Sequence, residues 1–189
     1  MCLLPALALS FARSLPATAQ TLLSEACGNW SGSEHTGFTF LARLAHNDDM
    51  ARLTIWMGGP ERPATIDDSP QFDNPTIAIG AFATKQELEV VETDDSSILQ
   101  IVTEYADEEG SGRIVTQTQF IDNQFTVVGH DHRGECLGQP TESDVDLWSM
   151  TASEDGVTWQ LEPVGFEALS ASDWTWDAAF ERGFCSRAE

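Results

Sequence analysis

Lysine is almost missing from this chain: Lys85 stands alone, and Lys and Arg together number 9 against 31 Asp and Glu. A formal charge of −22 repels nucleic acid and anionic lipid and attracts cations and basic proteins. Nucleic-acid binding is therefore not expected. Long apolar runs are missing too. Residues 3–11 (LLPALALSF) form an apolar stretch too short to span a bilayer, no other run is long enough for a transmembrane helix, and no stable membrane insertion is expected. A nucleophile elbow, a His-Glu-x-x-His pair, a phosphate loop and a dinucleotide fingerprint are all absent, so no motif supports an enzyme, a catalytic residue or a cofactor.

What is present is alternation. Residues 87–93 (ELEVVET), 97–106 (SILQIVTEYA), 113–121 (RIVTQTQFI) and 124–130 (QFTVVGH) alternate apolar and polar positions and are rich in β-branched and aromatic residues, the pattern of half-buried strands. Short polar turns join them, and Asp122-Asn123 supplies the two residues of a tight hairpin. No helix-length segment intervenes, so these strands pair antiparallel as a meander.

Residues 37–45 and 51–58 form another alternating pair around HNDDM. Residues 59–75 hold four of the eight prolines and read as a long irregular loop, either a lid or an excursion across one end, before a strand over 76–83. Residues 131–144 read as a loop, and 146–152 with 157–163 as a hairpin whose Asp155-Gly156 suits positive φ. Residues 170–182 carry helix start and stop signals and predict a short C-terminal helix. Residues 20–27 read as an irregular or briefly helical lead-in.

Ala17-Thr18-Ala19 before Gln20 fits an A-x-A cleavage site after the apolar run. Residues 1–19 are read as a secretory signal, although no positive charge precedes that run, and 20–189 as one domain, periplasmic or secreted. Cleavage would remove Cys2 and leave Cys27, Cys136 and Cys185, of which two would pair in an oxidising compartment. Cys136–Cys185 is favoured, with Cys27–Cys136 the alternative; such a loop closure is worth roughly 4 kcal/mol.

About nine or ten strands joined by hairpins favour closure, which removes exposed edges. The expected fold is all-β: an antiparallel up-and-down β-barrel with a short C-terminal α-helix. With Gly28-Asn29-Trp30 at the first strand, hairpins throughout and a late helix, the chain resembles the calycin, or lipocalin-like, β-barrels. That resemblance implies a barrel plugged at its base by Trp30. Residues 28–32 (GNWSG) also resemble the opening of nitrobindin-type haem barrels, but no histidine stands on an obvious late strand to ligate a haem.

His130, His132 and Cys136 are the densest group of possible metal ligands, yet their spacing matches no strong template, and solvated histidines beside a disulfide cysteine are the expectation; no metal site is assigned. Acidic residues collect at hairpin ends, where polar turns account for them. Trp30, Trp56, Tyr105 and Phe120 are the candidates to line an interior cavity. The expected function is an exported, non-catalytic binding protein holding a small apolar or amphipathic ligand. The alternative is an acidic interaction module, or an inhibitor of a cationic secreted protein, with a basic protein partner. A hydrolase or isomerase would need a cleft containing perturbed carboxylates or His130 and His132.

Overall fold

Period-two patterning becomes strand along most of a computed structural model that describes residues 20–30, 38–59, 61–93, 96–108, 110–136, 139–163 and 169–181. Strands β1 (Leu22–Asn29), β2 (Thr39–Asn47), β3 (Met50–Met57) and β4 (Phe72–Ile79) form one antiparallel sheet in chain order. Strands β5 (Ala83–Glu92), β6 (Ser97–Ala106), β7 (Gly110–Ile121), β8 (Gln124–Cys136), β9 (Gln139–Asp146), β10 (Thr151–Glu154) and β11 (Val157–Gln160) form a second, also in chain order. Each sheet is a meander, as expected from the short connections.

Turn chemistry sets the registers. Asp122 and Asn123 adopt φ of 49° and 64° between β7 and β8, and Asp155 and Gly156 adopt 48° and 82° between β10 and β11. Positive φ at both central residues matches the right-handed strand twist. Asp48, at φ 54°, opens the β2–β3 turn. Short Asx side chains tolerate this left-handed conformation, a structural reason for acids at these hairpin tips.

The expected barrel is not closed: among the described residues, no backbone ladder joins the two sheets. Where β1 meets β5 and the start of β6, side chains take the place of a ladder. The Leu88 amide donates to Ser24 Oγ at 3.0 Å, and Ser97 Oγ donates to the Asn29 carbonyl. The β4 edge is occupied differently. Pro75 lacks a donor there, and the Asn74 amide group turns away from the sheet to donate to the carbonyls of Ala171 and Trp174, each at 2.7 Å. The C-terminal segment 169–181 thus covers the edge that closure would have required.

Those same contacts correct the predicted helix over 170–182. Among the described residues of that stretch, only α1 (Ala178–Glu181), a single turn, is α-helical. The Ala171 and Trp174 carbonyls are engaged by Asn74, and the Ala171 amide donates to Phe125 O at 2.8 Å; these backbone groups are held in tertiary bonds in place of a helical ladder. The lead-in is also corrected, since Leu22–Asn29 is strand β1 on β2. Strand β4 begins at Phe72, inside the proline-rich stretch, and the expected loop over 131–144 is instead the continuation of β8 and the start of β9. Pairing to an existing neighbour supplies hydrogen bonds that the weak alternation of these segments does not announce.

The expected signal segment 1–19 lies outside the described residues, as do Cys185 and the side chain of Cys136, and with them the favoured disulfide. Cys27 is exposed and free, so the alternative Cys27–Cys136 bridge is not formed. No helix among the described residues is long and apolar enough to cross a membrane.

Inward faces of both sheets share one core. Phe40, Leu44, Leu53 and Ile55 come from the first sheet; Leu99, Ile101, Val127 and Val145 from the second; and Leu169 and Trp174 from the C-terminal segment. At one end Trp30 stacks on Phe40 with ring centroids 4.1 Å apart and meets the edge of Phe125 at 5.7 Å. Phe125 also contacts Phe72 and Phe120. Offset and edge-on geometries of this kind add to simple area burial.

A candidate binding cleft

The opposite end of the core is open. Strand β6 starts at Ser97, beside Asn29 and Trp30, and ends near Tyr105, roughly 26 Å further on at the usual strand rise. There a half-open cleft of about 500 Å³ forms. Ile79 enters from the end of β4, Phe82 from the β4–β5 connection, Tyr105 from the end of β6, and Ile114 from β7. Asp107 and Glu108 contribute from the β6–β7 turn, and Trp176 from the C-terminal segment. Beneath it lies a chamber of about 10 Å³, also bounded by Ile79, Ile114 and Trp176, with Thr103 and Thr116 in its wall. That is space for about one water molecule.

Tyr105 is fixed in this wall. Its hydroxyl hydrogen-bonds Nε2 of His132 at 2.7 Å, and the two rings lie within 13° of parallel. Gly112 is the cross-strand partner of both Tyr105 and Gly134. A Cβ on Gly112 would stand 2.8 Å from the Tyr105 hydroxyl, and one on Gly134 would stand 3.3 Å from His132 Nε2. The paired glycines leave the room that the Tyr105–His132 contact occupies.

Both histidines correct the expectation of solvated groups at a strand end. Strand β8 continues through them, and the inward face that carries Val127 before the β7–β8 bulge passes to His130 and His132 beyond it, 1% and 7% exposed respectively. Burial disfavours the charged imidazolium. It lowers the pKa of His132 and, together with the neighbouring His132, lowers that of His130 to about 4. His130 Nδ1 is 3.4 Å from Thr116 Oγ1, its Nε2 meets no partner among the described residues, and its ring packs 6.0 Å from that of Trp174. Neither histidine lines the cleft. No group of three or more His, Cys, Asp or Glu among the described residues is arranged to hold a metal ion.

On the outer face of the same strands Asp131 stands directly opposite Asp144. Burial first, and then the shared hydrogen bond with Asp144, raise its pKa to about 6, while Gln117 Nε2 donates to Asp131 Oδ2 at 3.1 Å and lowers it.

The four aromatic candidates are not brought together. Trp30 and Phe120 sit 6.4 Å apart in the closed end of the core. Trp56 lies on the outer face of β3, where its Nε1 donates to Asp68 O at 3.0 Å and the Arg43 guanidinium lies 6.0 Å from its ring. Only Tyr105 lines the cleft. The proline-rich loop packs against that outer face, and none of its described residues lines the cleft wall. Phe82, Asp107, Glu108 and Trp176 were not expected. An aromatic beside the turn glycine Gly80 and an acidic turn following Tyr105 are the signals they leave in the sequence. Comparison of the chain with protein-family models, with curated proteins and with solved structures finds no match.

Proposed function

We propose that this chain is an exported, non-catalytic binding protein that takes a small amphipathic molecule into the cleft between Phe82, Tyr105 and Trp176. The observation that carries this reading is the cleft itself: about 500 Å³, with Ile79 and Ile114 in its floor and carboxylates in its rim. That volume and that mixture of apolar wall with few polar groups are typical of small-molecule sites. The space between the sheets is filled by side chains, which moves the expected ligand site from a barrel interior to this end. The rigid Tyr105, held by His132, supports binding without reorganisation.

Titration of the full chain with Nile red, an uncharged apolar dye, tests the reading. Saturable binding at one site, weakened in Phe82→Ser and unchanged in Trp56→Phe on the outer face, is the expected result. No saturation, or saturation indifferent to Phe82, overturns it.

A second reading, an acidic module for a basic protein, is favoured by how the few cations are used. Arg43, Arg52, Arg62, Lys85 and Arg133 each pair with a carboxylate, leaving the −22 surface with little positive charge to repel such a partner. It requires binding to a cationic protein that weakens steeply with salt.

A further inference from the structure

We propose that His130 makes the C-terminal segment 169–181 an acid-released strap: protonation of the buried ring favours a form in which the segment is lifted and the Trp176 wall of the cleft is gone. The consequence for a ligand rests on the reading of the cleft as its site, whereas the release of the strap does not. His130 lies on the inward face of β8, 1% exposed, and its Nε2 meets no hydrogen-bond partner among the described residues. The ring of Trp174, in the strap, packs against it with centroids 6.0 Å apart. Trp176, next but one in the chain, lines the cleft. One short segment therefore both covers the histidine and completes the site.

Nothing near His130 offsets a positive charge on it. Its neighbours on the inward face are His132 along β8, Thr116 across on β7 and Val145 across on β9. Asp131 and Asp144 oppose each other on the outer face. On the strap, Asp173 is exposed and Asp177 accepts the Thr175 hydroxyl. Of all these titratable groups only His132 acts on His130, as a like charge. An imidazolium formed there is buried and unpaired, a state relieved when water reaches the ring. Water reaches it most cheaply from the strap side. Strand β8 is bonded along both edges, to β7 and β9. The strap contains no strand and is attached by local contacts, among them the Ala171 amide on Phe125 O, the bridge between Thr126 and Ser170, and Asn74 Nδ2 on the Ala171 and Trp174 carbonyls. Acid also relieves the β8–β9 pairing, because Asp131 takes up a proton near pH 6 and stops repelling Asp144. Burial holds the His130 pKa at about 4, against about 6.5 for a ring in water. Between pH 7.5 and 4.5 the lifted form therefore gains on the closed one by a factor on the order of 50.

Amide hydrogen exchange of the full chain at pH 7.5 and 4.5, corrected for intrinsic exchange rates, reads the strap directly. Protection across residues 171–179 should fall about tenfold or more relative to β6, with the far-UV circular dichroism of the sheets unchanged. His130→Gln, which cannot gain the charge, should keep the same relative protection at both pH values. His46→Gln, at an exposed position, should behave as the parent. Stopped-flow dissociation of Nile red should accelerate at pH 4.5 by the same factor in the parent and not in His130→Gln, because exit waits on the strap. Equal loss of protection in the strap and in β6 overturns the strap, and in the parent alone it does so whether or not His130→Gln folds. Strap-specific loss that persists in His130→Gln overturns the role of His130. Strap release without saturable Nile red binding at pH 7.5 leaves the strap standing and overturns the cleft reading.

Discussion

Tyr105 and His132 meet at 2.7 Å across a pair of glycines, and this contact joins the wall of the cleft to the buried polar face of β8. Gly112 and Gly134 face each other where any side chain would intrude: a Cβ on Gly112 would come within 2.8 Å of both the Tyr105 hydroxyl and the Arg133 carbonyl. The aromatic ring covers a glycine-lined strip of sheet, a device that protects backbone otherwise left bare.

Gly112→Ala should therefore lower stability by about 1–3 kcal/mol, the usual cost of overpacking, and should weaken Nile red binding as Tyr105 is pushed aside. Gly59→Ala, where an added Cβ meets nothing within 4 Å, is the comparison and should change neither. Urea unfolding of the two variants checks this; equal midpoints would remove the glycine pair from the account.

Asn74 is the second place where one side chain organises distant chain. Its Nδ2 holds the carbonyls of Ala171 and Trp174, and its Oδ1 accepts the Thr76 amide at 2.8 Å. Asn74→Ala removes the partner of two buried carbonyls and a half-buried amide, and roughly 2–4 kcal/mol of stability should be lost. Amide hydrogen exchange should rise across residues 171–179 more than in β6. Uniform exchange changes would mean that the segment does not depend on this residue.

His130 makes stability depend on pH. Its pKa is near 4 in the folded chain and near 6.5 when unfolded, so the unfolded chain binds the extra proton between these values. The stability contribution is present above pH 6.5 and is lost as pH falls through 4, approaching about 3 kcal/mol. Chemical unfolding measured from pH 7.5 to 4 should show this decline, and His130→Gln should flatten it.

Asp131 acts with the opposite sign. Its pKa is raised in the folded chain, so its stabilising contribution is present below the unfolded value near 3.9 and is lost as pH rises through about 6. At neutral pH it faces Asp144 as a like charge, an unfavourable cross-strand pair. Asp131→Asn should raise stability at pH 7 by about 1 kcal/mol after allowance for partial solvent screening. It should also steepen the acid decline, because the compensating uptake of a proton is gone. A variant no more stable than the parent at pH 7 would show that the two carboxylates do not strain the sheet.

Local chemistry determined much of this protein directly from sequence. Strand β6 carries the very bounds expected from its alternation, and the Asp122-Asn123 and Asp155-Gly156 turns adopt the positive φ their residue types favour. Period two and turn preference act over a few residues, so they can be read without knowing the fold. That Leu99, Ile101, Thr103 and Tyr105 share one face of β6 follows for the same reason, whereas which face points inward does not.

Tertiary structure decided what those rules do not reach. Whether β8 ran on through His130 and His132 depended on β7 and β9 offering partners, and whether 170–182 became a helix depended on Asn74 claiming its carbonyls from the other sheet. The cleft is the clearest case. Phe82, Tyr105 and Trp176 carry no shared local pattern, and only the placement of the C-terminal segment against the ends of β4, β6 and β7 sets them around one space. Hydrogen-bond satisfaction between distant segments, a long-range and cooperative requirement, left the sheets unclosed and placed the site at the end of the core.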